Sequence, residues 1–316
     1  MLNQILKKEL DKYEVKDVIA LSFAMREIAQ KITLQGLSHS RAFDHIAFYG
    51  GTCLRLFFGL DRFSEDLDFA LLDNDEFSLD FAEHDIKHCF ETYGISAIVD
   101  KKPNHDSDSI SRRYVKFLLA DIAKDYFPQL SLKINPDMNI SIKIEVDKGI
   151  YGNYKTINVI MDLPFDANIK TFDISTLFSS KIVAILYRKW KDRVKGRDYF
   201  DYLFYTSKKT PINIDYLRFK LGDNNLTEQN IKDMLIGRFE SVNFKKVMED
   251  VLPFVKDISV LKELNRDFFV STVKDLTFCE LNPNNETVKA IKAINEISDN
   301  TKSNDNVDEM FDDILK

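Results

Sequence analysis

The chain has 316 residues, 44% apolar and 30% charged, the balance of a soluble globular protein with one large or two moderate domains and an ample core. A formal net charge of −7 argues against indiscriminate nucleic-acid binding, and no apolar run approaches the length of a membrane span. Cys53, Cys89 and Cys279 lie far apart without a CxxC pair, which argues against a disulfide framework or structural zinc and predicts a reducing cytoplasm.

The amphipathic, mixed-charge N-terminus does not read as a signal peptide. Residues 2–36 predict two helices, with Val18, Leu21, Ala24, Ile28 and Ile32 at helical spacing. A polar stretch leads into an apolar strand at Ile46–Tyr49, and residues 53–58 suit a short helix. Residues 78–94 predict a helix, 95–99 a strand, and 100–111 a polar loop. Strands follow at 113–119, 140–146 and 156–160. A strong amphipathic helix is predicted over 175–190, capped by Asp173 or Ser175, and Gly196 interrupts the pattern before a helix over 197–205. Beyond Thr206 the pattern is helical throughout, clearest at 231–240 and 244–255. This is an α+β order, with a mixed sheet and flanking helices over 1–170 and a helical domain over 171–316. The polar, acidic tail from about residue 300 reads as disordered or partner-binding.

The chemistry concentrates between residues 50 and 69. Gly50-Gly51-Thr52 follows a strand and opens a helix, where glycine permits a sharp turn and free N–H groups favour an anion such as phosphate. Thr52 offers a hydroxyl donor at the same place. In Arg62-Phe63-Ser64-Glu65-Asp66-Leu67-Asp68-Phe69, strand alternation puts Asp66 and Asp68 on one face and Leu67 and Phe69 on the other. Two such carboxylates repel, so without a cation between them one tends to take up a proton. The combination suits a Mg²⁺–nucleotide site. An EF-hand is disfavoured because the loop glycine and closing glutamate are missing at the required offsets.

Further along, Lys143, Glu145 and Asp147 alternate with Ile142, Ile144 and Val146, so one strand face is charged. A solvated edge strand explains this pattern as well as a functional one does. Lys181 lies among apolar residues of the 175–190 helix, where it either neutralises a phosphate or snorkels to solvent. Lys181, Arg188, Lys189, Lys191, Arg193, Lys195 and Arg197 face a single acid, Asp192, which makes either a solvated helix end or an anion-binding patch. Asp201 can share a face with Asp198 or pair with Arg197 or Lys195. His84 and His88 have the spacing of a two-histidine metal pair without an evident third ligand, and a surface helix face is the better reading.

Gly50-Gly51-Thr52 with the Arg62–Phe69 segment, Lys181, and Arg197-Asp198-Tyr199-Phe200-Asp201 resemble the signature of the nucleotidyltransferase-like AbiEii/AbiGii toxins, of the DNA polymerase β-like superfamily. The resemblance covers most of the first two thirds of the chain. It implies a polymerase β-like palm and transfer of a nucleotide from an NTP to a hydroxyl acceptor. A third carboxylate completes the metal set with Asp66 and Asp68, Glu145 before Asp147. Mg²⁺ or Mn²⁺ is the implied ion. Gly50, Gly51, Thr52, Arg62, Ser64 and Lys181 are the implied nucleotide contacts, and Lys181 and Asp198 match active-site positions. The implied partners are a separately encoded antitoxin and, because some relatives modify the acceptor end of tRNA, tRNA bound along the 188–197 patch, in growth inhibition or phage defence. The competing expectations are a nucleotidyltransferase acting on a protein or small molecule, and a non-catalytic nucleotide-binding module.

Overall fold

The computed structural model describes residues 3–72, 77–101, 109–149, 151–188, 195–255 and 257–281. Asn3 caps α1 (Gln4–Leu10), and Asp17 caps α2 (Val18–His39) by accepting from the Ala20 N–H. α2 buries Leu21, Met25, Ile28 and Ile32 completely, as its spacing predicts. β1 (Ile46–Tyr49) runs into α3 (Gly50–Cys53), which widens into a π turn over Leu54–Phe58. The helix therefore begins at the double glycine itself, earlier than residue 53. β2 (Leu67–Leu71) follows, then α4 (Glu83–Thr92), entered through a 3₁₀ turn at Leu79–Ala82.

β3 (Ile98–Asp100) is shorter and later than predicted, because Ile95 is still tied to the end of α4 by its N–H bond to the Phe90 carbonyl. β4 (Ile110–Leu118) leads directly into α5 (Leu119–Tyr126) and α6 (Pro128–Ser131), two short helices without a clear sequence signal. β5 (Asn139–Asp147) and β6 (Thr156–Met161) match their predicted strands, while β7 (Ala167–Phe172) is additional.

These strands form one mixed sheet in the order β3-β4-β5-β2-β1-β7-β6. β2 lies at its centre, antiparallel to β1 and parallel to β5. Leu67 and Phe69 are fully buried, so the alternation expected of the Asp-x-Asp segment holds. Burial of such a side chain contributes about 1.5–3 kcal/mol, which makes register slippage of β2 costly.

α2 also holds the segment leading into β2. Buried Gln30 donates through Nε2 to the carbonyls of Ser64 and Glu65, at 2.9 and 3.0 Å. Phe23 stacks on Phe63 at 4.4 Å, and Arg55 bonds Glu27 at 2.8 Å while lying over the Phe63 ring. A core helix thus fixes the backbone on which Ser64 and Asp66 stand.

From residue 174 the chain is mainly helical: α7 (Ile174–Tyr187), α8 (Gly196–Ser207), α9 (Ile214–Leu221), α10 (Glu228–Ser241), α11 (Phe244–Val251) and α12 (Arg266–Val273). Asp173 is the α7 cap, accepting from the Thr176 N–H, and α7 ends at Tyr187, before residue 190. The region is not wholly helical, since β8 (Ile212–Asn213) pairs in parallel with β9 (Phe278–Cys279). Phe178 stacks on Tyr205, and Tyr202, Phe239 and Phe269 form an aromatic core beside them. Met1–Cys279 form one compact unit. Of the chain from Glu280 onward only residues 280 and 281 are described, so the acidic tail lies outside the described residues.

Candidate active site

A cleft of about 540 Å³ opens over the ends of β1, β2 and β5 and is walled by α7 and α8. The Gly50-Gly51 turn forms one side. Gly50 has φ +84°, and a Cβ there would meet Asp68 Oδ2 at 2.6 Å. At Gly51 a Cβ would meet Arg62 Nη2 at 2.5 Å and Ser64 Oγ at 2.9 Å. Both positions therefore need glycine, the first for conformation and approach, the second for approach alone. Gly51→Ala is expected to cost about 1–3 kcal/mol through overpacking, which urea unfolding measures.

Thr52 does not share the cleft. It is fully buried, and its hydroxyl donates to the Asp66 carbonyl at 2.5 Å. The expected phosphate donor thus ties the glycine turn to the entry of β2, because the helix starting at Gly50 carries residue 52 inward.

The acidic floor comes from two adjacent parallel strands, with Asp68 directly opposite Glu145 in register. Asp66 stands just before β2. Lys143 Nζ lies 3.0 Å from Asp66 Oδ2 and 2.7 Å from Glu145 Oε2, and Arg112 Nε donates to Glu145 Oε1 at 2.6 Å. Burial pushes the Glu145 carboxyl up, but these two cations outweigh it and leave it below the usual range. Asp68 behaves oppositely: burial, then the Asp66 charge, push it up to about 6. The Asp147 carboxylate is engaged elsewhere, accepting from Tyr151 Oη at 2.7 Å and from the Gly149 N–H at 2.8 Å, and it does not line the cleft.

The opposite wall is a chain of buried ion pairs. Lys181 Nζ bonds Asp198 Oδ1 at 2.7 Å and Asp201 Oδ2 at 2.9 Å, and Arg188 Nη1 reaches Asp198 Oδ2 at 2.8 Å. Arg62 makes a two-pronged contact with Asp201, Nε to Oδ1 at 2.6 Å and Nη2 to Oδ2 at 2.7 Å. Asp201 therefore pairs with Arg62 and Lys181, not with Arg197 or Lys195, because its helix face points inward. Burial disfavours every charge here, yet mutual pairing wins: Asp198 and Asp201 are held below the carboxylate range, and Lys181 above the usual lysine value. Lys195, also in the cleft lining, is lowered by burial against the pull of Asp198. Arg197 spans Glu65 at 3.3 Å and the Phe254 ring at 4.2 Å.

Asp66, Asp68, Glu145, Gly50, Gly51, Arg62, Ser64, Lys181, Asp198, Arg188, Lys195 and Arg197 thus converge on one cleft. Lys189, Lys191 and Arg193 lie outside the described residues. Sequence reasoning missed Arg112, Tyr114 and Tyr49 and gave Lys143 no role; strand pairing, which sets Arg112 opposite Glu145 and Tyr114 opposite Lys143, is what brings the β4 pair in. His84 and His88 stack on the surface, and His84 faces Asp85.

Asp66 and Asp68, with Glu145 on the neighbouring strand, are oxygen donors of the kind a hard divalent cation takes. Among the described residues, no three Asp, Glu, His or Cys side chains converge tightly enough to hold an ion as they stand. One oxygen each of Asp66 and Glu145 is taken by Lys143.

The sequence profile described as "Nucleotidyl transferase AbiEii toxin, Type IV TA system" matches residues 32–269. No curated protein matches the chain. Among solved structures, the chain is similar to JHP933 from Helicobacter pylori, with 16% identity and a TM-score of 0.49, over 86% of this chain and 96% of that one. A second H. pylori structure shares 17% identity with a TM-score of 0.46, over 80% of this chain and 96% of that one. No helix among the described residues is long and apolar enough to cross a membrane.

Proposed function

Since the chain belongs to the AbiEii family of nucleotidyltransferase toxins of type IV toxin–antitoxin systems, we propose that it moves a nucleotide from an NTP to the 3′-terminal hydroxyl of tRNA and so inhibits growth, as in phage defence. The observation that carries the reading is the register of Asp68 with Glu145 beside the Gly50-Gly51 turn. This puts three carboxylates next to a place where backbone N–H groups can meet phosphate.

Asp66, Asp68 and Glu145 would hold Mg²⁺ or Mn²⁺, which supplies a more acidic acceptor hydroxyl and neutralises charge on the α-phosphate and departing pyrophosphate. Gly50 and Gly51 let the backbone approach the β- and γ-phosphates, and Ser64 adds a hydroxyl donor. Lys181, kept charged by Asp198 and Asp201, offsets the triphosphate from α7. Residues 1–170 supply the carboxylates, and the helical part from 171 supplies the cation and its aspartates. Catalysis then rests on positioning and electrostatics.

The rim cations Arg188, Lys195 and Arg197 support an anionic acceptor despite the overall charge of −7. An antitoxin encoded apart from this chain would restrain it. Purified protein incubated with each labelled NTP, Mg²⁺ and total tRNA is expected to label the RNA with at least one nucleotide. Label appearing on protein or on a small metabolite would replace the RNA acceptor, and no transfer to any acceptor would remove the activity.

A further inference from the structure

We infer that Lys143 acts as an internal stand-in for the divalent cation, bridging Asp66 and Glu145 and leaving when metal binds. The inference rests on the metal-dependent reading above. The Lys143 ammonium sits 3.0 Å from Asp66 Oδ2 and 2.7 Å from Glu145 Oε2, between two of the three carboxylates. A cation already contacts both, so a second one there meets both repulsion and a loss of ligand oxygens.

The two cations on Glu145 differ in kind. Arg112 holds Oε1 through Nε at 2.6 Å from the neighbouring strand, an orienting contact that leaves Oε2 to be contested. Lys143 holds Oε2 as a point charge on a flexible stem, and 28% of its side chain is exposed, which gives it a path to solvent. Withdrawal of Lys143 thus releases one oxygen each from Asp66 and Glu145 while Arg112 keeps Glu145 aimed at Asp68. Metal affinity is held down by the lysine, and free divalent ions compete with it for the site.

The test is Mn²⁺ binding to the purified full chain without nucleotide, by calorimetry and by loss of the free-ion resonance signal. Wild type, Lys143→Met and Asp68→Asn are compared, with Lys143→Gln in place of the methionine variant if that one fails to fold. The lysine variant is expected to bind Mn²⁺ about tenfold or more tightly than wild type, equivalent to ~1.4 kcal/mol. It is also expected to melt lower without metal and to gain more on adding it. Unchanged or weaker Mn²⁺ binding in that variant, with binding still lost in Asp68→Asn, would overturn the role of Lys143 and leave the metal site standing. No Mn²⁺ binding in wild type or in either lysine variant would remove both.

Discussion

Asp68→Asn is expected to give a protein without measurable transferase activity that unfolds at a higher temperature than wild type in metal-free buffer. The Asp68 carboxyl is pushed from its ordinary 3.8 up to about 6 by burial and by Asp66. A native state that holds its proton more tightly than the unfolded chain loses stability as pH rises between those values, and the whole cost is present above about 6. That cost is on the order of 2–3 kcal/mol at neutral pH, somewhat less given that Asp68 is only half-buried. Asparagine keeps the shape and removes the charge. Melting curves from pH 4 to 8 check it: the gap between variant and wild type should widen with rising pH and close near pH 4. A variant that melts below wild type at pH 7.5 would refute the electrostatic account. The expected exchange of stability for a poised charge is the usual signature of a working site.

Asp201→Ala should be among the most destabilising single changes, by about 3–5 kcal/mol, because it strands buried Arg62 and weakens the pairing of buried Lys181 at once. Arg62 would lose both prongs of its contact and Lys181 one of its two carboxylates. For a chain of this size that loss corresponds to a fall in Tm on the order of 10 °C. Urea unfolding of Asp201→Ala beside Glu65→Gln makes the comparison. The second variant loosens only the partly exposed pair with Arg197 and should cost less than about 1 kcal/mol. Asp201 is held below the carboxylate range, so its stabilisation is present above the ordinary pKa and fades as pH falls through the lowered one. Comparable midpoints for the two variants would mean that the inner network contributes no more than a surface pair.

The Asp-x-Asp strand was legible because it must bury Leu67 and Phe69, and period-two alternation then assigns Asp66 and Asp68 to the other face. The charged face of β5 was equally legible, but not its meaning. A solvated edge strand carries the same alternation, and only the sheet order, with β5 between β4 and β2, puts Glu145 beside Asp68. Asp147, two residues further along the same strand, falls opposite Ala70 instead, and its carboxylate turns to Tyr151. Arg112 was hidden next to a polar loop, since a partner assigned by strand register leaves no mark on its own neighbours. The Thr52 hydroxyl shows the limit of local reading: the helix begins at Gly50 and carries the Thr52 side chain into the core, where it bonds the Asp66 carbonyl from 14 residues away.

Local patterning decided the elements whose hydrophobic faces are strong, namely α2, β1, β2, β5 and α7, and with them the double-glycine turn and the paired aspartates. Those are properties of short windows, governed by backbone sterics and by the period of apolar burial. Tertiary structure decided the rest: which carboxylate joins the pair, which cation each acid holds, and that Asp201 serves Arg62 and Lys181 from 139 residues away in the case of Arg62. Charge pairing acts through space across low-dielectric distances of a few ångströms, and sequence separation carries no record of it.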